Sequence, residues 1–211
     1  MKLKIINISG PNNETIEVSD KIIKNKVNYK LIKYVVDWQL NHGKPRTAKT
    51  KQRNAVAGST RKIVAQKGSG GARHASKTAP LFVGGGIAHG PKGSVYKIKK
   101  INKKIRKQAI VQTLSKKNND KNLHILADVK QEIKKTKDFD KFLKKNNISN
   151  VLIVSDKGTL KNISKSARNI KNVKLIEDIG TNVYDLLKYK DVLITSSSFK
   201  TIQTRLLDEK N

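Results

Sequence analysis

Between Asp37 and Asp120 the chain has no aspartate or glutamate, and residues 38–119 carry 20 Lys and Arg. The same stretch holds ten of the thirteen glycines and three of the four prolines. From Gly43 to about Tyr96 neither a helical nor an alternating apolar pattern is sustained. Its apolar clusters are short: Ile63-Val64-Ala65 and Leu81-Phe82-Val83. Fixing some fifty residues costs on the order of 1–2 kcal/mol each in backbone entropy, and so little apolar surface cannot offset that. Alone, the segment is expected to be disordered from about residue 46 to 92. A long irregular loop within a compact domain is tolerated where it is itself functional, and a basic segment that orders on a polyanion is such a case.

The flanks have a different character. Leu3 to Ile8 reads as a short strand, with Thr15 to Val18 pairing with it or following a turn at Gly10-Pro11. Val27, Leu31, Tyr34, Val35 and Trp38 form the apolar stripe of a helix stopped by Gly43 and Pro45. Beyond the loop, Ile101, Ile105, Ala109, Ile110 and Leu114 mark a second helix, with Lys103, Lys104, Arg106 and Lys107 on its other side. Strand-like runs then alternate with helices: Leu123 to Ala127, Val151 to Val154, Val173 to Ile176 and Val192 to Thr195 are each followed by a helical pattern. This series predicts an α/β fold, a mostly parallel sheet with helices on both faces and a long irregular basic loop inserted between two helices. The expected organisation is a body from residues 1–42 and 100–211, with 43–99 as the extended loop.

A net charge of +30 in 211 residues repels itself in a compact chain unless a polyanion neutralises it, which puts nucleic acid first among partners. With 36% hydrophobic and 5% aromatic residues there is material for one modest core. The absence of cysteine excludes disulfides, thiolate catalysis and Cys-based metal sites. No apolar run approaches a membrane span, and the start, Met-Lys-Leu-Lys-Ile-Ile-Asn-Ile, lacks the pattern of a secretory signal or an Arg-rich presequence. The expected setting is therefore the cytosol, with no membrane partner.

No active site assembles from the sequence. Gly68-Ser69-Gly70-Gly71-Ala72-Arg73 has Arg where a dinucleotide fingerprint needs its last glycine, and Gly85 to Gly90 is followed by Pro91-Lys92 without the adjacent hydroxyl of a phosphate loop. His42, His74, His89 and His124 are scattered, three of them in the acid-free region, so no metal, cofactor or catalytic residue is expected. His74 and His89 suit stacking on RNA or hydrogen bonding to it. Ser196-Ser197-Ser198 reads as a loop before the final helix, with Ser198 its cap.

Only seven of the 46 basic residues are arginine, and Arg46, Arg53, Arg61 and Arg73 fall in the loop. Arginine offers a planar fork for phosphate or guanine and a face for stacking, which lysine cannot reproduce. Lys49, Lys51, Lys62, Lys67, Lys77, Lys92 and Lys97 supply further phosphate contacts. The hydroxyls of Thr47, Thr50, Ser59, Thr60, Ser69, Ser76 and Thr78 are candidates for phosphate or ribose.

Several short motifs occur in a telling order: Arg46-Thr-Ala-Lys-Thr-Lys, Gly58-Ser-Thr-Arg-Lys, Gln66-Lys-Gly-Ser-Gly-Gly-Ala-Arg, Ser76-Lys-Thr-Ala-Pro, Gly84-Gly-Gly, Gly90-Pro-Lys and then Asn102-Lys-Lys. Together they resemble the extended loop, and the helix after it, of the bacterial-type family of the universal large-subunit ribosomal protein number four. The strong match covers residues 43 to 112; the C-terminal part agrees in its βα order. The chain departs from the family at Ile63-Val64, where Pro-Trp is common, at Gly71, where Arg is common, and at Leu81-Phe82, where Trp is common.

The resemblance implies a structural constituent of the large ribosomal subunit that binds its rRNA and supports assembly, with neighbouring ribosomal proteins as further partners. Its rRNA contacts would come from the loop residues Arg46, Lys49, Lys51, Arg53, Arg61, Lys62, Lys67, Arg73, His74, Lys77, Lys92 and Lys97, and from Lys103 and Lys104 on the following helix. By family analogy the tip, Arg61, Lys62, Ile63, Val64, Ala65, Gln66, Lys67 and Gly68, would line the exit tunnel beside the nascent peptide. Two other readings predict different behaviour. A general nucleic-acid chaperone would bind many sequences alike, and an enzyme with a nucleotide site at the strand C-termini would be stabilised by nucleotide.

Overall fold

The computed structural model describes residues 2–8, 14–44, 47–93, 100–129, 131–133 and 135–207. Six strands form one sheet in the order β2-β1-β3-β6-β4-β5. They are β1 (Lys2–Ile6), β2 (Thr15–Glu17), β3 (Leu123–Leu126), β4 (Val151–Ser155), β5 (Val173–Glu177) and β6 (Asp191–Thr195). β2 pairs antiparallel with β1, and every other pairing is parallel. β4 and β6, Val-Leu-Ile-Val-Ser and Asp-Val-Leu-Ile-Thr, are buried at every residue, as central parallel strands covered on both faces must be.

One face packs Leu152, Val154, Val192 and Ile194 against α1 (Asp20–Ile23), α3 (Lys103–Asn119), α6 (Val183–Lys188) and α7 (Ser196–Leu207), through Ile22, Leu114, Leu186 and Phe199. The other packs Val151, Ile153 and Leu193 against α4 (Thr136–Lys145) and α5 (Lys157–Ala167), through Phe139, Phe142, Leu143 and Ile163. Phe139, Phe142 and Leu143 stand at i, i+3 and i+4, which brings all three to one side of α4. The chain divides into two compact units, residues 1–40 with 100–211 and residues 41–99. Among the described residues no helix is long and apolar enough to cross a membrane.

Three local readings are corrected by packing. α2 (Tyr29–Gly43) buries Ile32 and Val35, whereas Tyr34, assigned to the apolar stripe, is exposed. The core-facing stripe is therefore rotated toward Ile32. Ser198 is not a helix cap: α7 already begins at Ser196, and the Ser198 hydroxyl is buried, accepting from Thr195 Oγ1 at 2.8 Å. α3 was expected to keep one polar side, yet its second half buries Gln112, Thr113, Ser115 and Lys117 as well. Those groups are satisfied locally. Ser115 Oγ donates to Ile22 O at 2.7 Å, Gln112 Oε1 accepts from Asn28 N at 3.0 Å, and Lys117 Nζ donates to Tyr189 O and Lys190 O. Burial lowers the Lys117 ammonium below the ordinary lysine range, with Lys116 adding to the shift.

Asp156 caps α5, accepting from Gly158 N at 3.1 Å and Thr159 N at 3.3 Å. Burial pushes its carboxyl up, but hydrogen bonds from Thr159 and Ser197 outweigh this and hold it below the usual carboxylate range. A depressed folded-state pKa stabilises above the unfolded value and is lost as pH falls through the folded one. Asp156→Ala is expected to cost about 1 kcal/mol at pH 7, the usual worth of an N-cap. The gap to wild type should shrink in thermal melts below about pH 4. A gap unchanged by acid would show that the charge adds nothing to the cap.

Candidate nucleic-acid interface

Residues 47–92 form neither a sheet nor a helix beyond one short 3₁₀ turn at Arg53–Ala55, but their path is specified by hydrogen bonds. The outgoing and returning limbs meet where Thr50 N donates to Pro91 O at 2.9 Å, Gly93 N to Ala48 O at 2.8 Å and Ile87 N to Lys51 O at 2.9 Å. Ala79 N donates to Ser76 O, Phe82 N to Ala79 O and Gly85 N to Phe82 O, which makes residues 76–85 a chain of tight turns. Higher up, Ile63 N donates to Ala75 O at 2.9 Å. Gln66 ties the tip together: its Oε1 accepts from Lys62 Nζ and its backbone oxygen from Arg73 Nε.

Two glycines sit where backbones nearly touch. A Cβ on Gly86 would lie 2.3 Å from Arg53 N, and one on Gly85 would lie 2.1 Å from Ala79 O. The Gly86 approach is not legible in the sequence, because it joins limbs 33 residues apart; the Gly85 approach lies within one chain of turns. The hydroxyls also resolve differently from expectation. Ser76 and Thr78 are buried and bonded to each other at 2.8 Å, so they build the segment and are not available to phosphate. Thr50 Oγ1 donates to Pro91 O, and Ser59 Oγ accepts from Arg61 N.

The segment has almost no core. Among its described residues Ala79 is the one buried hydrophobic, while Leu81, Ile87 and Ile63 are exposed and Val83 entirely so. The predicted cations Lys49, Lys51, Arg53, Arg61, Lys62, Lys67, Arg73, Lys77 and Lys92 are all exposed, and none is paired with a carboxylate among the described residues. Arg46 and Lys97 lie outside the described residues. His74 is half-buried, its ring 5.1 Å from that of Phe82 and its Nδ1 without a partner. Of the tip, Val64 is half-buried and the rest is exposed. In the other unit Lys103 and Lys104 are exposed on the first turn of α3.

The place where an open α/β sheet usually takes a phosphate ligand is the crevice beyond its strand C-termini. Here Asp128 follows β3, Asp156 follows β4, and Ser196 and Ser197 follow β6. Ser196 Oγ donates to Asp128 Oδ2 at 2.8 Å; Ser197 Oγ lies 2.8 Å from Asp128 Oδ1 and 3.3 Å from Asp156 Oδ1. Two carboxylates bridged by serines repel a phosphate and already use the donors it would need. Among the described residues no group of three His, Asp or Glu side chains is placed to hold a metal.

The fold and its surface thus define an α/β body with a basic, core-poor insertion and no catalytic constellation among the described residues. The model of the ribosomal protein L4/L1 family matches residues 16–205. The chain is 47% identical over 206 residues to the large ribosomal subunit protein uL4 of Pelagibacter ubique, covering 97% of this chain and 99% of the relative. It is 36% identical over 206 residues to the uL4 of Hyphomonas neptunium, covering 97% and 96%, and 37% identical over 205 residues to that of Geotalea daltonii, covering 97% and 98%. The chain belongs to the ribosomal protein L4/L1 family, whose members are structural proteins and not enzymes.

Proposed function

We propose that this protein is a structural constituent of the large ribosomal subunit in the cytoplasm, that it binds large-subunit rRNA through the inserted segment, and that it contacts neighbouring ribosomal proteins. The observation that carries this is the segment 47–93: nine exposed cations with no carboxylate partner among the described residues, on a path whose one buried hydrophobic is Ala79. Such a path has its turns specified but too little burial to hold them, and RNA supplies the missing surface. Cations lower the repulsion between converging phosphates, arginine forks set orientation, and exposed Leu81, Val83 and Ile87 give apolar surface for bases and riboses. Ordering and binding are one event, which is how the protein supports assembly. The tip from Arg61 to Gly68, tied at Gln66, is the part proposed to line the exit tunnel beside the nascent peptide.

The direct test sediments a lysate through a high-salt sucrose gradient. Co-migration with the large subunit after the wash is expected, and release to the top of the gradient would refute an integral role. A quantitative companion uses Arg53→Gln with Arg73→Gln. Each lost phosphate contact lowers the logarithmic salt slope of rRNA binding by about 0.7–0.9, so the double variant should lose about 1.4–1.8. An unchanged slope would remove these two arginines from the interface.

A further inference from the structure

The body carries a cationic feature that the inserted segment does not account for. A cleft of ≈ 410 Å³ opens between α2, the first turns of α3, the turn at Asp178–Gly180 and the end of α7. Its lining includes Trp38, Lys103, Arg106, Lys107 and Arg205 and no carboxylate. Only three of the chain's seven arginines lie outside residues 43–99, and two of them stand here. The Arg106 guanidinium lies 5.3 Å from the Trp38 ring centroid, a cation–π stack that leaves a flat, positively charged wall. Arg205 Nη1 donates to Ile179 O at 3.0 Å, which fixes its fork. Arg106 Nε and Arg205 Nη2 are buried without a hydrogen-bond partner, so both guanidiniums keep unspent donor capacity.

The geometry points to a binding site for one unpaired RNA nucleotide, its base against the Trp38–Arg106 wall and its flanking phosphates on Lys103, Lys107 and Arg205. The volume falls in the range of about 300–1,000 Å³ that holds a single organic ligand. An aromatic face beside a cationic rim is what single-stranded nucleic acid uses, since every base offers a π-face and a duplex does not release one. An acidic peptide would use the cations but has no use for the ring. The inference rests on the reading of the chain as an RNA binder and adds to it a second, body-borne site that selects unpaired RNA.

Trp38 is the chain's one tryptophan, so its emission reports this cleft and nothing else. The full chain is titrated with an unstructured RNA of roughly 12 nucleotides, within the span that single-strand sites cover. Binding is followed by anisotropy of the labelled RNA and by Trp38 emission. Saturable quenching by the single strand, and none by a duplex of the same sequence, is the expected result. Arg106→Gln with Arg205→Gln should shift the quenching midpoint about tenfold. Lys103→Gln with Lys107→Gln, at sites that leave the Trp38 stack intact, should lower its salt slope by about 1.4–1.8. RNA binding seen by anisotropy with unchanged Trp38 emission would overturn the cleft while leaving the inserted segment as the RNA site. No binding by either signal would sink both readings. Displacement of the RNA from the cleft by polyglutamate at matched charge would make it a peptide site and overturn the proposal.

Discussion

Replacing Gly86 with alanine is expected to remove most of the protein from the large-subunit peak of a salt-washed gradient while leaving the melting temperature of the body unchanged. The reason is geometric. A Cβ at Gly86 would stand 2.3 Å from Arg53 N, 2.5 Å from Arg53 Cα and 2.7 Å from Gln52 C, all of them backbone atoms that cannot swing aside. The neighbouring bonds Gly86 N to Thr78 O and Ile87 N to Lys51 O would have to lengthen, and the two limbs would part at their crossing. Overpacking of this kind costs roughly 1–3 kcal/mol. A segment whose described residues bury no hydrophobic side chain but Ala79 has no reserve to absorb it. At 1.4 kcal/mol per tenfold, rRNA affinity should fall by about five- to hundredfold. Gly43→Ala is the matched control, because a Cβ there meets nothing within 4 Å. Normal incorporation of the Gly86 variant would mean that the crossing is not kept in the ribosome.

The second large effect is expected in the body. Phe199 is 1% exposed and packs from α7 onto the sheet face built by Leu152, Val154, Val192 and Ile194. Phe199→Ala should cost about 3–5 kcal/mol, the usual penalty for emptying a buried phenylalanine site. Against a total stability of roughly 5–15 kcal/mol, that is a large fraction, and it should lower the melting temperature by roughly 6–20 °C at this chain length. Phe199→Leu should recover most of the loss, since it refills most of the volume. A calorimetric melt checks both. A variant that melts with wild type would show that the α7 face of the sheet does not unfold with the rest.

These two sites differ in how far the sequence announces them. Phe199 stands with Ile202 and Leu206 in a helical pattern after an apolar strand, so its burial follows from periodicity alone. Gly86 sits in a run of three glycines that reads as loop, and nothing local distinguishes it from Gly84, whose Cβ would meet open space. The distinction arises only when residues 51–53 pass beside it. Ser76 and Thr78, read as hydroxyls for RNA, are bonded to each other two residues apart, a local pairing set by the turn they stand in. Arg106 reads as a solvated helix charge until α2 brings Trp38 beneath it. α2 itself misleads, because Tyr34 fits a helical stripe as well as Ile32 does, and only the neighbouring helices select which side faces inward.

From the sequence alone came the α/β class, the basic charge of the acid-free stretch and, through the ordered motifs, the family. Those properties are carried by composition and short-range periodicity, which are local and survive without any partner. Only folding set which glycines meet another backbone, which hydroxyls are used up inside the segment, which side of α2 is buried, and that two body arginines share a cleft with the single tryptophan. Apart from the Ser76–Thr78 pair, each of these depends on contacts between residues far apart in the chain. Such contacts leave no local trace, because the physics that selects them is the close approach of two surfaces that only folding brings together.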